Sequence, residues 1–280
     1  MNVSSLSAAG HATSEKVAPW IEGLARVGFA AKGVLYLTIG ALAASAALGF
    51  GGKTATDSRG AMSELLEKAY GRPLLAVIAI GLVGYAVWRV IDGIKDPERR
   101  GKSAKGIALR IGSVLRGLIH LGLAYTAGSL ALWQQSESGG QGKEARHWTA
   151  RALETPGGVY VLWAVAGAFF GYGLYQVYKA VKSKLNKQLE LGRLAQGTRR
   201  VVVGVSRFGI AARGIVFGTI GVLLARAANR EDAREAGGLS DSMKELLTLG
   251  KWPFIAIALG LAAYGVYQFI NARYRRIDCT

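Results

Sequence analysis

The chain has 280 residues, of which 51% are hydrophobic and only 19% charged, yet its formal net charge is +17. Ordinary soluble proteins carry roughly 25% charged residues; this composition excludes a soluble domain of the common kind, and because the bases fall between apolar runs they imply no nucleic-acid partner. One cysteine, Cys279, excludes an internal disulfide framework and a cysteine-based zinc site.

Residues 1–23 are polar and lack both a basic n-region and an apolar h-region. No cleavable signal peptide is expected, so the first apolar run must itself direct insertion. That run, Gly33 to Gly52, is headed by the phrase RVGFAAKGV from Arg26. A helix rises about 1.5 Å per residue and needs about 20 apolar residues to cross a bilayer, which this run supplies. In the following loop AMSELLEKAY places Met62, Leu65, Leu66, Ala69 and Tyr70 on one helical face. A short amphipathic helix lying apolar-side down in the far interface is expected there. The return run, Pro73 to Trp88, opens on a proline suited to a first helical turn and closes on GYAVWRV from Gly84.

The same sequence of events then recurs twice. RIGSVLRGL from Arg110 leads into Gly117 to Ser136, a weaker amphipathic stretch around Trp148 to Leu153, and a return run, Thr155 to Tyr178, that carries GYGLYQV from Gly171. RFGIAARGI heads the run Arg207 to Ala225, Ser242 to Leu247 echoes the first loop, and Trp252 to Ala272 returns with AYGVYQF from Ala263. A period this long marks repeated supersecondary units. The expected fold is all-α: a polytopic membrane protein with six transmembrane helices, in three tandem parallel two-helix repeats set pseudo-threefold, with short amphipathic outer helices. Its divisions are a polar segment 1–23, repeats 24–95, 107–182 and 204–273, and a basic tail 274–280.

Loop charge sets the expected orientation. Six Lys or Arg face three acids between Asp92 and Arg110, and eight face Glu190 alone between Lys179 and Arg207, whereas the other three loops are near neutral. By the positive-inside rule the basic loops and both termini are cytoplasmic, in the inner (plasma) membrane of a bacterium.

Four sets of residues invite a role. Lys32, Arg116 and Arg213 hold the same repeat position about two turns inside the basic end, where a cation is costly. With Arg26, Arg110 and Arg207 they are candidate contacts for an anion or a lipid headgroup; the favoured arrangement is outward snorkelling, the alternative a convergence on one central site. Gly33, Gly117, Gly214, Gly167, Gly171 and Gly218 are candidate helix-packing positions, within the bundle or at a homo-oligomer seam. Tyr85, Tyr172 and Tyr264 are expected as interfacial aromatics, a ligand-stacking box being the other reading. His120, one turn after Arg116, is the lone titratable candidate for proton transfer. No Asp or Glu lies within the spans to pair the cations, which argues against a proton- or sodium-coupled carrier. No nucleophile elbow, P-loop, metal-ligand spacing or paired carboxylate is present, so neither catalysis nor a cofactor is expected.

Three two-helix units, each with a basic-Gly opening and a Tyr-rich close, resemble the bacterial membrane-protein family called domain of unknown function 1206, across about Ala25 to Ala272. The resemblance implies fold and location and carries no activity. Two function classes follow from the residues. The favoured one is a structural or lipid-interacting protein whose basic loops meet anionic phospholipid headgroups; the alternative is a channel or carrier for a small anion.

Overall fold

The structure is a computed structural model that describes residues 19–49, 57–96, 101, 103–133, 141–182, 189, 192 and 194–275. Cys279, the segment 1–18 and much of the two basic loops lie outside the described residues. All regular structure described is helical, apart from an isolated bridge between Leu189 and Arg275. Among the described residues nine α-helices follow in order: α1 (Pro19–Leu48), α2 (Ser58–Leu66), α3 (Gly71–Lys95), α4 (Ala104–Trp133), α5 (Gln141–Leu153), α6 (Gly158–Lys182), α7 (Gln196–Arg230), α8 (Leu239–Thr248) and α9 (Lys251–Tyr274).

Six of these are long and apolar enough to cross a membrane, and they are the six runs read from the sequence. The outbound helices α1, α4 and α7 have 30, 30 and 35 residues, the return helices α3, α6 and α9 only 24 or 25. Local chemistry sets the ends. Pro73 and Pro253 sit in the first turns of α3 and α9, where a missing N–H costs nothing, and Gly157, at φ 80°, makes the turn into α6.

The spans form a ring around a common interior. The end of each repeat packs on the start of the next, α3 on α4 and α6 on α7, and α9 closes on α1 in the same way. Each of these junctions uses the glycine of the repeated opening phrase. A Cβ on Gly117 would lie 3.0 Å from the Ala86 carbonyl of α3, one on Gly214 2.8 Å from the Gly173 carbonyl of α6, and one on Gly33 2.6 Å from the Phe269 ring of α9. Without side chains at these points the backbones approach closely. Within repeats, α1 packs on α3 and α7 on α9, but α4 and α6 share no packed interface among the described residues. The ring therefore has one open seam, and it falls inside the second repeat.

The distal half of the ring, away from the basic end, is filled with apolar side chains, including Leu35, Ile39, Leu75, Leu82, Val216 and Leu261. Here the short helices depart from expectation. Rather than lying apolar-side down on lipid, α2 and α8 insert Met62 and Met243, both fully buried, among the spans. Helix α2 ends at Leu66, so Tyr70 falls beyond it, 63% exposed. The weakly patterned middle loop does form a helix, α5, held by charge. Glu144 accepts from Arg59 of α2, and Arg146 donates to Asp241 of α8 at 2.9 Å and to the Ala236 carbonyl at 3.2 Å. Because α2 packs on α4 and α5 on α6, the Arg59–Glu144 pair spans the seam at its distal end.

Candidate functional site

In the basic half the ring encloses a pocket of about 90 Å³ lined by residues from all six spans. Lys32, Arg116 and Arg213 all reach it, together with Arg89, Lys179 and Arg275. The expectation that the repeated cations snorkel outward is corrected. The cause is local: the next residue is the junction glycine, pressed on a neighbouring helix, and one helical step of 100° turns the cation from that contact toward the interior.

Each of the three cations meets neutral groups. Lys32, 5% exposed, donates to the Tyr85 hydroxyl at 3.1 Å and sits 4.2 Å from that ring's centroid. Arg213 donates to the Tyr36 hydroxyl at 3.2 Å and lies over Phe217 and Tyr264, at 4.7 and 4.8 Å. Arg116 donates to the Gly112 carbonyl at 2.9 Å and to Ser113 Oγ at 3.1 Å. A tyrosine face stabilises a cation by about 0.5–2 kcal/mol and a hydrogen bond from a charged group adds about 1.5–3 kcal/mol, which offsets part of the roughly 3–5 kcal/mol that a buried charge left without its counter-charge costs but supplies no counter-charge.

Arg89 is different. It donates to the Tyr85 hydroxyl at 3.0 Å, lies 4.1 Å from the Trp88 ring centroid, and pairs with Asp92 at 3.1 Å. Asp92, 2% exposed, corrects the view that the cations near the spans have no carboxylate at hand. It stands one residue beyond the acid-free stretch and serves Arg89. Tyr85 thus accepts from two cations at once.

The aromatic belt reading is corrected as well. Tyr85 and Tyr264 are buried, Tyr172 is half-buried, and all three line the pocket. His120 lines it too; its Nδ1 donates to the Arg116 carbonyl at 2.7 Å, and its ring lies 4.7 Å from Tyr85. The residues that follow the tyrosines by four, Arg89, Gln176 and Gln268, complete the wall. They correspond in the three closing phrases, a signal that pointed here had it been used. The Gln268 amide oxygen is buried without a hydrogen-bond partner among the described residues.

The remaining candidates go elsewhere. Arg26 donates to the Ala272 and Arg273 carbonyls at the end of α9, and Arg110 to Gly93 and Ile94 at the end of α3, capping orphan carbonyls of the preceding return helix. Arg207 is exposed. A Cβ on Gly167 or Gly171 would meet nothing within 4 Å, so neither packs a neighbour within the bundle, while the Gly218 backbone lies 2.6 Å from where a Gly173 Cβ would stand.

Six apolar spans and three repeated helical units define the class, a multi-pass helical membrane protein. The chain belongs to the family Domain of Unknown Function (DUF1206), whose profile matches residues 27–96, 111–183 and 208–275. It is 30% identical over 265 residues, 94% of each chain, to the uncharacterized protein YxxB of Bacillus subtilis (strain 168). No solved structure matches.

Proposed function

We propose that this protein binds a phosphate-type oxyanion in the central pocket, from the cytoplasmic side of a bacterial plasma membrane, and that it acts there as a binding or carrier protein rather than as an enzyme. The observation that carries this reading is the convergence of Lys32, Arg116 and Arg213 on one cavity where each meets only neutral partners among the described residues. An oxyanion supplies the missing counter-charge, and arginine forks match its geometry. A tetrahedral oxyanion is favoured over chloride because its several oxygens can accept from Lys32, Arg116 and Arg213 together. The apolar filling of the distal half and the position of Lys179 and Arg275 near the return-helix ends support access from the basic end.

Thermal unfolding of the purified full chain in detergent tests this. Inorganic phosphate should stabilise the protein by RT ln(1 + [L]/Kd), more than chloride at equal concentration. Arg213→Gln should abolish that response while leaving the empty protein as stable as the parent or more so, since one of several like charges is gone. A parent protein indifferent to phosphate up to tens of millimolar, or an Arg213→Gln variant that responds as the parent does, defeats the proposal.

A further inference from the structure

We infer that the oxyanion arrives as the terminal phosphate of a lipid, admitted sideways from the bilayer through the seam between α4 and α6. The inference rests on the proposed anion site and names the class of molecule that fills it. Helices α4 and α6 both line the pocket, through Arg116 and His120 on one side and Tyr172 and Gln176 on the other, yet they do not pack on each other. Only 17% and 22% of their central residues are buried, against 50 to 56% in the other four spans.

Helical spacing shows what borders the opening. Around α4, the face toward α3 carries Gly117, the next carries Arg116 and His120 in the pocket, and the face after that carries Leu115 and Ile119, 53% and 60% exposed. Around α6 the same progression runs from Gly173, against α7, through Tyr172 and Gln176 to Gly171 and Tyr175. Gly171 has open space where a side chain would stand, and Tyr175 is 53% exposed. The seam is thus apolar and partly aromatic outside, small at Gly171, and continuous with a cationic interior. At its distal end it is bridged by Arg59 and Glu144.

That combination fits an amphiphile with one charged end. A free anion gains nothing from apolar walls open to lipid. A lipid chain can stay in the bilayer beside Leu115, Ile119 and Tyr175 while its phosphate reaches Arg116, Lys32 and Arg213. Charge narrows the headgroup further. A phosphate monoester brings up to two negative charges to the three cations, whereas a phosphodiester brings one.

The test titrates the purified full chain with dioctanoyl phosphatidic acid, dioctanoyl phosphatidylglycerol, dioctanoyl phosphatidylcholine and inorganic phosphate. Phosphatidic acid should bind at least tenfold more tightly than inorganic phosphate or phosphatidylglycerol, and phosphatidylcholine should not compete. Gly171→Trp, or Ile119→Trp from the other side of the seam, should reduce phosphatidic acid to the level of inorganic phosphate while inorganic phosphate binding stays within twofold. Arg213→Gln should remove both. If inorganic phosphate binds in an Arg213-dependent way but phosphatidic acid binds no better, and both seam variants behave as the parent, lateral admission is wrong and the anion site survives. If phosphatidic acid binds equally well to Arg213→Gln, the lipid is adsorbed on the outer surface and the inference fails. If neither ligand is bound, the anion site itself is refuted.

Discussion

Tyr85→Phe deletes one oxygen and leaves the ring in place, against Phe29 at 5.4 Å and Trp88 at 5.7 Å between centroids. The lost oxygen accepts from Lys32 at 3.1 Å and from Arg89 at 3.0 Å, both buried. Hydrogen bonds to charged groups contribute about 1.5–3 kcal/mol each, so an additive limit is roughly 3–6 kcal/mol. Arg89 keeps Asp92 and Trp88, and Lys32 keeps the face of the ring. The expected cost is therefore nearer the lower limit, about 3 kcal/mol. Equilibrium unfolding in mixed micelles, with and without inorganic phosphate, measures it. Because Lys32 is left seeking an acceptor, phosphate at about a hundred times its Kd should return up to about 2.7 kcal/mol. A loss below about 0.5 kcal/mol in the absence of phosphate would show that the Tyr85 hydroxyl does not hold the two cations, and the account of the pocket's empty state would fall with it.

The junction glycines should differ in tolerance. Gly40→Ala sets a Cβ 2.5 Å from the Ala262 nitrogen and 2.6 Å from the Ala258 carbonyl, backbone atoms that cannot step aside, and should cost about 1–3 kcal/mol in unfolding experiments. Gly33→Ala meets the Phe269 side chain first, a ring that can turn aside, and should cost measurably less; equal losses would mean that the α1–α9 contact is looser than described. Met62→Ala empties a fully buried site under α2 and should cost about 2–5 kcal/mol, read as a lowered unfolding midpoint. Single cysteines at Lys244 and Thr198, on opposite ends of α7's hairpin, should react with impermeant maleimide from opposite sides of sealed vesicles, Lys244 from outside the cell; labelling of both from one side would reject the orientation. Arg234, bonded to Asp232 through side chain and backbone, holds that exposed carboxyl below its ordinary range. Whatever stability the pair contributes is present above the unfolded carboxylate's pKa and lost as pH falls through the depressed one; an NMR titration in which Asp232 is unmoved by Arg234→Gln would refute the link.

Spans, the threefold repetition and the positions of the three cations were legible in the amino-acid order because each depends on runs and spacing along one helix. The facing of Lys32, Arg116 and Arg213 was not, since it depends on which neighbour the adjacent glycine meets. The paired letters do hold a clue: a small residue pressed on a neighbour leaves its predecessor one step round the helix. Arg26 and Arg110 were grouped with the ligand candidates for their charge, and only the register of α9 on α1 and of α3 on α4 reveals that they cap carbonyls. Asp92 was missed by one position because acid-free stretches were measured by sequence, whereas a side chain at the helix end reaches back a turn to Arg89. The open seam is only faintly marked in composition, for the apolar stretches of α4 and α6 are slightly less hydropathic than those of the other four spans.

The head-to-tail closure of α9 on α1 has a consequence for how the protein is made. The other two junctions join helices that are neighbours in the chain, but α1 ends at Leu48 and α9 begins at Lys251, 203 residues later (251 minus 48). At about 5–20 residues per second of synthesis, roughly 10–40 s separate the two. During that interval Gly33 and Gly40 face lipid or the insertion machinery with their partner surface still unmade. Lys32 waits far less, because Tyr85 follows within the same hairpin. Insertion thus shelters the buried charge first and closes the ring last, and the α1 face that awaits α9 is where a chaperone or a neighbouring copy of the chain would find a half-finished molecule.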